Sequence, residues 1–264
     1  MIKSPGFPDL MLRVQSAFVL VAIGLGAFWL GGDAVVILLT LSCALMGWEV
    51  AAMHGDKRSA QIAVAAIAGI GFMSVFFISG MPRLIYVVAL AVLFLAGKFK
   101  SPLVCLASVV AIVEISLILE QFNWKYGFVW TFWLIAVVAA TDIGGYFAGR
   151  FIGGPKVWPA VSPKKTWAGV IGGWVLALIV SGLFMAGGYG SLGLLLLTVL
   201  VSITSQAGDF AESAVKRRAG VKDASDLIPG HGGLLDRFDG LLGACLGIGI
   251  ASALGLLPDL GISG

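Results

Sequence analysis

Apolar runs of about twenty residues recur along almost the whole chain, at about 14 to 31, 34 to 53, 60 to 79, 84 to 97, 103 to 119, 127 to 148, 167 to 187, 191 to 207 and 241 to 257. A helix of that length spans the hydrocarbon layer of a bilayer and satisfies its own backbone N–H and C=O groups, which lipid does not do. The sequence therefore predicts an all-α fold, a polytopic transmembrane bundle of about nine helices. The fourth and fifth runs are short and Glu114 interrupts the fifth, so eight crossings, or a re-entrant pair, is the alternative count. Hydrophobic residues fill 59% of the 264 positions and charged residues 12%. A water-soluble domain has no core large enough to hide that balance.

Basic residues in short loops stay on the cytoplasmic side, which gives the nine-helix count a test. Lys3, Arg13, Lys57, Arg58, Lys98, Lys100, Arg150, Lys156, Lys164, Lys165, Lys216, Arg217, Arg218, Lys222 and Arg237, 15 of 17, fall on one side, and only Arg83 and Lys125 fall on the other. The N-terminus is thus expected in the cytoplasm, the C-terminal tail from Pro258 to Gly264 outside, and the chain in the inner (plasma) membrane. The first run is expected to be a retained helix, because more runs follow and no small-residue cleavage site stands out. Cys43, Cys105 and Cys245 lie within apolar runs without metal-like spacing, so buried thiols and no disulfide are expected. The 37 glycines are about twice the ~7% of ordinary proteins and allow close helix approach.

The chain reads as a single membrane domain, 1–264, with two halves of different character. Residues 1–125 have short loops and read as scaffold. Residues 141–240 hold the chemistry, in two longer cytoplasmic segments at about 149 to 166 and 208 to 240. Spacings of three, four and seven place Asp209, Glu212, Ser213 and Lys216 on one helical face. Beyond them, Lys222 and Asp223 lead to Pro229-Gly230-His231-Gly232-Gly233, whose glycines allow close backbone approach and whose N–H groups suit a phosphate. Asp236 and Asp239, three apart around Arg237, face one point if helical. Asp209, Asp236 and Asp239 as cation ligands, with Lys216, Arg217, Lys222 and Arg237 for anions, are the parts of a phosphoryl or nucleotidyl transferase. Oxygen-rich acids of this kind suit Mg²⁺.

Taken singly, these charges also fit salt bridges that cap helices and fix topology, and Pro229 to Gly233 also fits a plain tight turn. Collectively they ask for more. Seven of the 14 acidic residues, Asp142, Asp209, Glu212, Asp223, Asp226, Asp236 and Asp239, lie in or beside the two segments, and a topology signal needs only bases.

Ser213-x-Val215-Lys216-Arg217, then Lys222-Asp223-x-Ser225, then Ile228-Pro229-x-His231-Gly232-Gly233-Leu234-x-Asp236-Arg237-Phe238-Asp239 resembles the signature of the phosphatidate cytidylyltransferases, or CDP-diacylglycerol synthases. A second block, Thr141-Asp142-x-Gly144-Gly145-Tyr146, Gly149-Arg150 and Ser162-Pro163-Lys164-Lys165-Thr166-Trp167, is similar to that family's other recurrent stretch. The resemblance implies cytidylyl transfer from CTP to phosphatidate at the cytoplasmic face of the bilayer. It also implies a binuclear centre of Mg²⁺ with K⁺ as second cation, and a homodimer; no nucleic-acid partner is expected. Carried onto this chain, Asp209 and Asp236 would hold the metal and Asp239, with Asp223, would complete or orient its shell. Lys216, Arg217, Lys222 and Arg237 would neutralise the triphosphate, and His231, Gly232 and Gly233 would contact phosphate beside Ser213. Ser162, Lys164 and Lys165 would bind headgroup or nucleotide, or serve only as a positive-inside anchor. Asp142 would reach the site or pair with Arg150. One position departs: the family continues Trp-Glu-Gly where this chain has Trp167-Ala168-Gly169, so a carboxylate is absent there, and either its role is minor or another acid, Glu212 or Asp142, substitutes. A transporter, with Glu114 and Asp142 in an ion path, and a CTP-dependent polyprenol or phytol kinase are the competing readings.

Overall fold

The structure, a computed structural model, describes residues 7–55, 57–78 and 82–257; Lys3 and the tail Pro258 to Gly264 lie outside them. Eight helices and one hairpin follow in the order α1 Phe7–Leu30, α2 Gly32–His54, α3 Arg58–Phe77, α4 Pro82–Ala96, α5 Pro102–Phe151, β1 Lys156–Trp158, β2 Ser162–Thr166, α6 Trp167–Ala186, α7 Gly193–Ala219 and α8 Leu235–Ala253. Five of them, α2, α3, α5, α6 and α7, are long and apolar enough to cross a membrane, and α1 and α4 contribute the shorter apolar stretches Gln15–Leu30 and Arg83–Ala96. Large side chains such as Phe18, Trp29, Ile70, Leu183 and Leu196 point outward, as lipid-facing residues do. The protein is a helical membrane protein.

Two of the predicted runs, 103 to 119 and 127 to 148, fall within one element. α5 has 50 residues, interrupted only at Gly127, where φ is 78° and ψ is −174°. Helical rise is about 1.5 Å per residue, so each half is long enough for a crossing. The polar cluster Glu120 to Lys125 breaks the hydropathy there but not the helix; glycine at positive φ makes the break. The segment 149 to 166, read from sequence only as a longer charged stretch between helices of an all-α fold, contains an antiparallel hairpin pairing Lys156 with Thr166 and Trp158 with Ser162.

The chain divides into two compact units, one of residues 1–114 and 218–237, the other of residues 115–217 and 238–264. In the first, α2 packs against α1 and α3, and α3 against α4, around the fully buried Leu39, Met46, Phe72, Leu90 and Phe94. Within the second, buried hydroxyls tie helices together: Trp133 Nε1 donates to Ser181 Oγ at 2.9 Å, Ser181 and Thr198 share a 2.6 Å hydrogen bond, and Thr141 Oγ1 donates to Ser202 Oγ at 3.0 Å. Such bonds are useful in lipid, where apolar contact between helices gains little over contact with acyl chains. Glycine supplies the rest: a Cβ on Gly144 would lie 2.5 Å from the Gly172 carbonyl oxygen, and on Gly208 it would collide with the Asp239 carbonyl and Gly243. α5 meets α6, and α7 meets α8, backbone to backbone. All three cysteines are buried and free.

Candidate active site

In the second unit, the Gly144 contact holds α5 and α6 close, and the hairpin between them folds over a cavity of about 400 Å³. Asp142 and Arg150 of α5, Lys164 and Lys165 of β2, and Gln206 and Asp209 of α7 line it. Lys165 Nζ forms an ion pair with Asp209 Oδ2 and sits 4.5 Å from the Phe210 ring centroid. Thr166 ends the strand and starts α6, its Oγ1 accepting from Gly169 N at 3.1 Å, an N-cap of the usual kind. Ala168, where the resembled family has Glu, borders a separate apolar groove of about 560 Å³ with Phe147, Ile152 and Ile171. A carboxylate at that position is therefore not part of the polar cavity's lining. Ser162 is half-buried in the hairpin and is not a lining residue.

The Gly208 contact brings the start of α8 against α7 and sets acids together. Asp239, ahead of the apolar run that begins at Leu241, is pushed up to about 7 by burial first, then by the charges of Asp209 and Asp142; the Gly240 N–H and Lys216 oppose this. One turn before Asp209, Ser205 is buried with no partner for its Oγ. A Cβ on Gly240 would lie 3.1 Å from that Oγ and 3.8 Å from Asp142 Oδ2, so the glycine keeps open a polar gap. Among the described residues no three acid, imidazole or thiol groups enclose a metal by themselves. Crowded acids beside an unpartnered hydroxyl fit a cation that draws its other ligands from water and phosphate, as Mg²⁺ does. Lys216 pairs with Glu212 at 2.6 Å, both largely buried. Ser213 is half-buried and Arg217 exposed on the same helix.

The first unit holds the glycine loop. Ile228 N donates to Gly232 O at 2.8 Å and His231 N to Ile228 O at 2.9 Å, closing a tight turn. Gly232 has φ +85°, and a Cβ there would meet Asp236 Oδ2 at 2.9 Å. That oxygen accepts from Gly233 N at 2.7 Å and Ala224 N at 2.9 Å, so Asp236 organises the loop whatever else it does. Arg237 donates from Nε and Nη2 to the His231 carbonyl at 3.1 and 2.7 Å. His231 Nδ1 lies 2.8 Å from Ser16 Oγ, which donates to Pro229 O. Lys222 and Asp223 are exposed at the start of this loop.

Sequence reasoning missed Glu49, Ser16 and Ser205. Glu49 was detectable, because an acid inside an apolar run is a functional candidate by default. Its side chain, fully buried in the half read as scaffold, accepts from Leu234 N, Leu235 N and Ser225 Oγ. Glu114, offered above as part of an ion path, instead accepts from Tyr86 Oη at 2.5 Å and pairs with Arg83 at 3.2 Å.

A cavity lined by acids, lysines and an arginine within a helical membrane protein fits an enzyme that acts on charged groups. The chain belongs to the cytidylyltransferase family, whose model matches residues 11–252. The phosphatidate cytidylyltransferase of Brucella suis biovar 1 (strain 1330) is 35% identical over 261 residues, 96% of either chain. That of Bacillus subtilis (strain 168) is 43% identical over 121 residues, 45% of either chain. That of Staphylococcus haemolyticus (strain JCSC1435) is 42% identical over 148 residues, 55% of this chain and 56% of the relative.

Proposed function

We infer that the chain transfers the cytidylyl group of CTP to phosphatidate, giving CDP-diacylglycerol and pyrophosphate for phospholipid synthesis. The observation that carries this reading is similarity to phosphatidate cytidylyltransferase along 96% of the chain, which takes in both the cavity and the glycine loop. A phosphate oxygen of phosphatidate forms a bond to the α-phosphorus of CTP as the α–β bridging bond breaks, and pyrophosphate leaves with the bonding pair. An ionised phosphate is already a nucleophile, so positioning and charge neutralisation carry the reaction and no strong general base is needed.

Lys165, with Lys164 and Arg150 on the cavity wall, neutralises phosphate there, while the groove beside Phe147 and Ile171 suits acyl chains that stay in the bilayer. Lys216, Arg217, Lys222 and Arg237 balance the triphosphate, and His231 and the Gly232–Gly233 amides contact it. Asp209 and Asp239 would hold Mg²⁺, with K⁺ as the second cation, and Asp236 orders the glycine loop. Bound there, the metal supplies charge neutralisation at the phosphates. The topology that goes with this is nine crossings, an N-terminus in the cytoplasm, an active site on the cytoplasmic face of the inner membrane, and a homodimer.

Purified protein in lipid nanodiscs, given CTP, phosphatidate and Mg²⁺, is expected to form lipid-linked CMP. Absence of that product under conditions where the protein is folded would sink the reading.

A further inference from the structure

Glu49 is fully buried on α2, and among the described residues no cation pairs with it. Burying a carboxylate without a counter-charge is costly unless hydrogen bonds replace its lost water. Here they come from one place: Leu234 N at 2.8 Å, Leu235 N at 2.7 Å and Ser225 Oγ at 2.6 Å. Leu234 immediately precedes α8 and Leu235 opens it, where backbone N–H groups lack intrahelical partners and the helix dipole favours negative charge. Gly233 leaves the room, since a Cβ there would lie 2.5 Å from Glu49 Oε1. The two stems of the turn at 228–232, Ser225 before it and Leu234 and Leu235 after it, therefore converge on a single side chain from a helix some 180 residues earlier.

We propose that Glu49 is a positioning residue for the transfer reaction, its buried carboxylate fixing the 225–235 backbone so that His231 and the Gly232–Gly233 amides are held ready for phosphate. The proposal rests on the reading that this loop handles CTP. Packing alone does not explain the residue, because an apolar side chain fills a buried position in a membrane helix without desolvating a charge.

The test compares wild type with Glu49→Gln, Ser225→Ala and the double variant, all as full-length purified protein. A glutamine keeps the shape, but whichever way its amide turns, an NH₂ group faces the N–H of Leu234 or Leu235. Glu49→Gln is expected to lower kcat about 10- to 100-fold, as a misplacement of about 1 Å does, with KM for phosphatidate unchanged and faster amide exchange at Leu234 and Leu235. Ser225→Ala lowers kcat less and adds nothing in the Glu49→Gln background, as expected of groups acting through one contact. A Glu49→Gln kcat equal to wild type, or losses that multiply in the double variant, overturns the proposal. If Glu49→Gln does not fold, Ser225→Ala decides: unchanged kcat and exchange at Leu234 and Leu235 overturn it. Failure of the underlying reading looks different, as wild type would then give no CTP-dependent product while the exchange comparison still reports whether Glu49 fixes the loop.

Discussion

Lys165, on the second strand of the hairpin, closes an ion pair onto Asp209 of α7, 44 residues later in the chain. The pair joins the two sequence segments that carry charge, 149 to 166 and 208 to 240, at the wall of one cavity. Lys165 is half-buried there.

Lys165→Ala is expected to lower kcat/KM about 10- to 100-fold by removing a cation from the phosphate path. The more exposed Lys156, whose Nζ reaches only the Lys164 carbonyl at 3.3 Å, should tolerate Ala within about threefold, the range of surface charges. Initial rates over a CTP series check both.

Asp209→Asn and Asp239→Asn each remove a charge from the acid cluster and are expected to lower kcat by about 100-fold or more if that cluster holds the metal. Both variants should insert and purify normally. Near-normal rates in both would remove these residues from the metal shell.

The raised carboxyl of Asp239, about 7, gives a pH signature. Below that value the group holds a proton that a divalent cation must displace; above it the carboxylate is free. Apparent Mg²⁺ affinity should therefore rise by up to about tenfold per pH unit from about pH 5 to 7 and level off near pH 8, read from Mg²⁺ dependence of initial rates. Asp239→Asn should flatten that slope.

Gly208→Ala places a methyl against the Asp239 carbonyl and Gly243. Overpacking of this kind costs about 1–3 kcal/mol, so Tm should fall by several degrees and activity with it, because the same contact sets Asp209 beside Asp239. Gly182→Ala, with open space around the added carbon, is the control and should leave both unchanged.

Charge between apolar runs made the site legible in sequence. Asp209 and Asp239 stood out because acids gathered where topology needs only bases, whereas Lys165 read equally well as a positive-inside anchor. α7 continues past the apolar residues to Ala219, as the spacing of Asp209, Glu212, Ser213 and Lys216 implies, and Glu212 pairs with Lys216 one turn on. What was not legible depends on backbone and long-range pairing. Ser162-Pro-Lys-Lys-Thr lacks the apolar alternation of a strand, yet Thr166 and Ser162 pair with β1. The polar stretch before Gly127 reads as a loop, yet it is helical. Glu49 is one acid in an apolar helix, and its meaning lies in backbone donors far along the chain, which no local pattern announces.

The most direct measurement of the central claim follows labelled phosphorus. Protein in nanodiscs containing phosphatidate is given CTP labelled at either the α- or the γ-position, and lipid and water-soluble products are separated. Cytidylyl transfer predicts that α-label enters the lipid while γ-label leaves as pyrophosphate, one for one. Entry of γ-label into lipid would instead mean phosphoryl transfer, as in a CTP-dependent kinase, and would contradict the account.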